Sequence, residues 1–279
     1  MPAVAKLPTV GLAGLVVDDE ASFSHVGLFA DLRRVVAESD HRFAVLHGNV
    51  RRATWDRALF LNLTYWHAAE ATDVLVDEHI AADVVAHVGW HLLAARHLGQ
   101  GAGPLSAPAL LLSEAIASAF DLYLVGRLLG HCPDAEFLQT QVPAMADCAE
   151  GAGMGEDAFE AMLETVAADP ERAFEDLRAL LFDAATALHG CASVADAALV
   201  LEGLEDRRFA PLLHHYELSN WVLYSRAYGG AERDGDPARS LDTVLRSAPV
   251  ALDWLEVHWV RPAIDRGSPE HPPRRAPPR

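Results

Sequence analysis

Apolar residues recur at helical spacing through most of this chain. Val26, Phe29, Leu32, Val35 and Val36 form one stripe, with Arg33 and Arg34 on the wet side, the pattern of a helix that buries one face. Two further helices are predicted over residues 78–98 and 109–129, closed by Gly99 and Gly130. Both are so apolar that they read as buried. Residues 134–148 are expected to be helical with an interruption at Pro143, and residues 156–168 form the next helical run. Asp169-Pro170-Glu171 is a cap with proline at the first helical position, opening a helix over 170–189 with Phe174, Leu177, Leu181 and Leu188 in phase. Ser193 and Asp196 make a cap-like start for 194–204. Residues 209–228, 238–247 and 249–260 complete the series.

The N-terminal part is less regular. Residues 10–17 fit a short strand or a buried entry segment, and residues 42–50 alternate like a strand through Phe43, Val45 and His47. Thr54 is a candidate N-cap for a helix over 55–70, although residues 60–66 satisfy a strand pattern as well. The fold class expected is mainly α: one multi-helix domain over residues 1–265, with a few short N-terminal strands. The proline- and arginine-rich tail 266–279 is expected to be disordered. The loop between the two most apolar helices is about ten residues long, short enough to return the second beside the first, antiparallel or nearly so.

Composition narrows the classes. With 279 residues, 51% of them hydrophobic, the chain can bury a full core. A formal charge of −18 argues against nucleic acid and anionic membrane surfaces as partners, because both demand a basic face. No apolar run is expected to reach the roughly 18–20 residues of a membrane span. The short run 10–17 leads into Asp18-Asp19-Glu20 in place of a cleavage site, so no signal peptide is expected. Cys132, Cys148 and Cys191 are widely spaced and form no CxxC pair, which speaks against a disulfide framework. The expectation is a soluble cytoplasmic protein.

The sharpest chemical signal is in residues 83–121. His87 and His91 are four apart and share one helix face, a spacing that lets two imidazoles reach one metal ion. Glu114, opening the next apolar run, supplies a third candidate ligand and leaves coordination positions open. The structural alternative is a satisfied His pair and a carboxylate favoured by a helix N-terminus. His79, Asp83, His87 and His91 form a ladder of four-residue steps. Over twelve residues the face drifts by about 120°, so Asp83 is the better outer partner for His87 and His79 the more remote one. Glu78 and Asp121 are candidate carboxylates for a second metal or a pocket wall. The Glu-x-x-His order of di-iron bundles is absent, since Glu70 follows His67. His214 and His215, with Tyr216, Asn220 and Trp221, are candidate pocket-lining residues; the alternative is a buried helix with amphipathic aromatics.

The run Asp83-Val84-Val85-Ala86-His87-x-x-x-His91, a loop, and Ser113-Glu114-Ala115-Ile116-Ala117 resembles the core of thermolysin-type gluzincin metallopeptidases. The resemblance covers roughly residues 83–121, with a somewhat longer gap between His91 and Glu114 than is usual. It implies His87, His91 and Glu114 as metal ligands. The family's general base directly follows the first His, and here that position is Val88. A valine cannot accept a proton from metal-bound water. Three readings follow. The first is a metal-dependent enzyme, with iron or zinc, that does not use the peptidase mechanism, for example a non-haem iron oxygenase. The second is a zinc hydrolase with a relocated base such as Glu78. The third is a non-catalytic helical binding protein derived from a zincin. Each enzymatic reading implies a small-molecule or peptide substrate, and a homo-oligomer is compatible with all three.

Overall fold

A computed structural model of the chain describes residues 8–45, 74–75, 77–99, 103–230 and 235–265. The segments 55–70 and 266–279, expected to be a helix and a disordered tail, lie outside the described residues. What is described is mainly helical, with short strands near the N-terminus.

The strands are β1 (Thr9–Val10), β2 (Val16–Asp18), β3 (Phe43–Val45), β4 (Val74–Leu75) and β5 (His79–Ala81). β3 is central in a three-stranded sheet, antiparallel to β1 through Thr9↔Ala44 and parallel to β4 through Ala44↔Val74. β2 and β5 pair in parallel, with Val16 opposite His79 and Asp18 opposite Ala81. The apolar run 10–17 therefore holds parts of two strands with a 3₁₀ turn at Leu12–Gly14 between them.

The helices are α1 (Gly27–Ala37), α2 (Ala82–Leu98), α3 (Ala107–Leu129), α4 (Glu136–Gly151), α5 (Glu156–Ala168), α6 (Pro170–Gly190), α7 (Val194–Glu202), α8 (Leu218–Tyr228) and α9 (Pro237–Ser247). The last apolar run is α10 (Ala251–Leu255), a π-helical turn over Glu256–Val260, and α11 (Arg261–Asp265). Local sequence explains the helix starts. Ser106 accepts from the Ala109 amide at α3, Asp169 from Arg172 at α6, and Asp236 from Ala238 at α9, each with proline in the first turn. At α7, Ser193 and Asp196 form a complete capping box.

Three boundaries differ from expectation. α2 begins at Ala82 rather than residue 78, because His79–Ala81 pairs with β2. Pro143 does not interrupt α4; the helix runs through it. The run 209–228 is two elements, a 3₁₀ helix Ala210–Tyr216 and α8, broken at Glu217, whose φ of 47° is left-handed.

α3 is the hub, touching α2, α4, α5, α6, α8 and α9. Contrary to the expectation from sequence, it is long and apolar enough to cross a membrane, but 89% of its most apolar window is buried against the other elements. A core helix needs the same composition. α2 is buried on two sides. Ala86, Trp90 and Leu93 join the helical core with α1 and α3, whereas Val85 and Val88 pack with Leu12, Val36, Phe43 and Ile80 beneath the strands.

Inside the helical layer, Arg178 of α6 is fully buried and forks onto Glu175 at 2.7 and 2.8 Å. Its Nη1 lies 2.9 Å from Asp242 of α9, an ion-pair contact without aligned hydrogen-bond geometry. A buried guanidinium needs such carboxylates to offset its desolvation.

Gly126 marks the closest approach of α3 to the α5–α6 turn: a Cβ there would sit 2.7 Å from the Val166 carbonyl oxygen and 3.1 Å from Pro170 Cβ. Gly126→Ala should therefore destabilise the protein by about 1–3 kcal/mol, although alanine in a helix is intrinsically favoured by about 1 kcal/mol. Urea denaturation of the two proteins checks the sign.

Candidate metal centre

α3 carries few polar side chains through its buried length, and four of them are Ser113, Glu114, Ser118 and Asp121, the last three at steps of four and three residues with Ser113 beside Glu114. Three of the four meet α2. His87 reaches Asp121 and Glu114, and His91 reaches Glu114 and Ser113. As the numbers rise on α2 they fall on α3, so the two helices are antiparallel.

His87 Nε2 is 3.8 Å and His91 Nε2 3.6 Å from the same oxygen, Glu114 Oε2. One ligand atom from each of the three residues lies within 4.8 Å of the others. These separations are too long for hydrogen bonds, which close at about 2.7–3.2 Å. With metal–ligand bonds of about 2.0–2.1 Å, the edges of a tetrahedron are about 3.4 Å long. The two edges to Glu114 Oε2 would shorten by a few tenths of an ångström to meet one ion, and all three edges lie within 4.8 Å. His87, His91 and Glu114 thus form a group that could hold a metal ion.

The other ring nitrogens are also placed. His91 Nδ1 is 2.8 Å from Ser113 Oγ, and His87 Nδ1 is 3.5 Å from Asp121 Oδ2. Outer partners of this kind fix the ring orientation and leave both Nε2 atoms directed at Glu114. Glu114 is mostly buried, with 13% of its side chain exposed.

The electrostatics follow from this crowding. Burial by itself would push the His87 imidazolium down, but the carboxylates of Asp121 and Glu114 overcome it and hold its pKa up at about 10. Burial raises Asp83 to about 6, with the Asp121 charge adding to it. Burial lowers His215 against the pull of Asp121 and Glu217, and lifts Tyr216 well above 10 with Asp121 contributing. Burial, then the Glu114 charge, raises Tyr224. The charges of Asp121 and Glu114 thus reach His215, Tyr216 and Tyr224 on the 3₁₀ segment and α8.

The remaining candidates fall in different places. Asp121, expected as a second-metal carboxylate or pocket wall, faces His87 Nδ1, and its Oδ1 is buried with no hydrogen-bond partner. Asp83 makes no hydrogen bond to His87, its carboxyl being engaged by its own backbone amide and that of Val84. His79 is on β5, where its Nδ1 pairs with Asp18 at 2.8 Å, so the four-step ladder is broken above Asp83. Hydrogen bonding to Asp18 raises the His79 pKa. Glu78 is exposed beside β5 and outside the converging group. His214 is exposed and turned away from His215, toward a groove shared with α7. Ser113 and Tyr224 were not foreseen. Ser113 is adjacent to Glu114, a hint visible only in retrospect.

No family model matches the chain, and neither curated proteins nor solved structures give a match. The likeness to a zincin is therefore confined to the His-x-x-x-His plus Glu arrangement itself.

Val88 is buried in the apolar cluster under the strands, around the helix from the His pair. Val88→Glu should cost about 3–5 kcal/mol, because it buries a carboxylate without a partner, and it should not create peptidase activity. Thermal melts and a peptide-cleavage assay test the two halves. Asp121→Asn, in metal-free protein, should lower the His87 pKa from about 10, because it removes a charge that favours the imidazolium. NMR titration of the His87 ring reads the shift.

Proposed function

We propose that this protein binds one divalent metal ion through His87 Nε2, His91 Nε2 and Glu114 Oε2 and is a metal-dependent enzyme of a non-peptidase kind, non-haem iron chemistry being the best fit. The supporting observation is the convergence of the three atoms at 3.6–3.8 Å around Glu114 Oε2. When bound, an ion in a two-His, one-carboxylate set has open positions for substrate and a small co-ligand.

The chain's own residues perform defined tasks in this reading. Ser113 and Asp121 hold the rings so that both Nε2 atoms face inward. Trp90 of α2 packs edge-on against Phe120 of α3, which holds together the two helices that carry the ligands. Tyr224 and His215, within the electrostatic reach of Glu114 and Asp121 respectively, are candidates to bind or orient a small-molecule or peptide substrate.

A hydrolase mechanism has less support. Asp121 is on the Nδ1 side of His87, away from the ligand atoms, and Glu78 stands outside the converging group. Neither is disposed to take a proton from metal-bound water, which requires hydrogen-bond reach.

Elemental analysis of protein purified without a His-tag should find about one equivalent of metal, with iron favouring the oxygenase-type reading and zinc opposing it. His91→Ala and Glu114→Gln should each bring the content close to zero; unchanged content in both sinks the proposal. His87 is an imidazolium at neutral pH without metal, its pKa held at about 10, and it must lose that proton to coordinate. Affinity should therefore rise as pH rises, by about tenfold per unit between pH 6 and 8. Calorimetry in buffers of different ionisation enthalpy should detect the released proton.

A further inference from the structure

Away from His87, His91 and Glu114, a cavity of about 490 Å³ opens between the first turn of α3, the last turns of α6 and α8, and the start of α9. Pro108 and Leu111 line its apolar side, and Thr186, His189, Ser225, Arg226 and Arg239 supply its polar groups. Three of these are basic, and no carboxylate lines it among the described residues. In a chain of net charge −18, a concave surface with this balance is unexpected by composition.

Each polar group is positioned by something else in the fold. Arg226 is fixed by donating from Nε and Nη2 to the carbonyl oxygens of Leu188, His189 and Cys191 at the end of α6. Its Nη1 makes no such bond. Ser225 is buried, donates to the Val222 carbonyl and accepts from His189 Nδ1, each at 3.0 Å, which orients that ring. The Thr186 hydroxyl is buried without a hydrogen-bond partner, a state that costs about 1–3 kcal/mol unless something fills it. Arg239 occupies the first turn of α9, where the helix dipole disfavours a cation. Its side chain forms part of the cavity wall.

We propose that this cavity binds a small phosphate-type oxyanion, either inorganic phosphate or the phosphoryl group of a small metabolite. Hydroxyl and guanidinium groups line the cavity from α6, α8 and α9. A tetrahedral oxyanion accepts from several directions at once, whereas a planar carboxylate is matched by a single guanidinium fork. The site is independent of the metal reading, because none of its residues belongs to that group.

Calorimetric titration of the full-length, tag-free protein with inorganic phosphate at low ionic strength tests the assignment. One saturable site is expected. Arg239→Gln should weaken it about tenfold or more, the usual effect of losing a charged hydrogen bond. Thr186→Val should weaken it several-fold while leaving the melting temperature unchanged or higher, so a loss of fold cannot explain the result. Glycerol phosphate binding tighter than phosphate identifies a phosphorylated metabolite as the ligand class; equal affinity identifies the free ion. The proposal is overturned if phosphate does not saturate a site, if both variants bind like the parent, or if acetate binds equally well. Phosphate binding that vanishes in His91→Ala also overturns it, because the anion would then sit on the metal.

Discussion

A carboxylate taken out of water must find a partner, and α3 carries two of them into the middle of the protein. Glu114 and Asp121 lie on the helix that touches most of the other helices, so their burial sets a condition on everything packed around them. α2 meets that condition with two imidazoles at two heights. His87 answers Asp121 and Glu114, and His91 answers Glu114 and Ser113. Pairing at two heights fixes the direction, the register and the rotation of α2 together. Apolar contacts alone would tolerate a slide of one turn; matched charges in a low-dielectric interior would not.

Much of this was legible in the sequence because its causes are local. Proline after Asp169 and Asp236, and the Ser193/Asp196 box, are start signals whose chemistry operates within one turn. The His87/His91 spacing and the acid of the next helix are also short-range facts, and they pointed to three residues that the fold brings together. What escaped was set by distant partners. His79 continues the four-step pattern of α2, yet it joins β5 because Val16–Asp18 offers a strand more than sixty positions away. Pro143 is carried through α4, which no residue-level rule anticipates. The outer partner of His87 is Asp121 and not Asp83, a choice made by the antiparallel return of α3.

The position that most separates this chain from a peptidase also has a packing explanation. Residue 88 is about 100° around the helix from residue 87, and that direction is occupied by Leu12, Val36, Phe43 and Ile80. An acid there would face hydrocarbon. The valine is thus the residue demanded by a helix that serves two cores at once, one beneath the strands and one among the helices.

The junction between β5 and α2 has its own mechanical meaning. Ala81 ends the strand and Ala82 begins the helix with no loop between them, so no slack segment can absorb a displacement. β5 is held edge to edge by β2 and pinned by His79 on Asp18. The strand pair works as the short arm of a lever whose long arm is α2, with His87 and His91 on it. With no loop to damp it, a twist of the β2–β5 pair would pass into α2 as a turn of the helix face that carries His87 and His91.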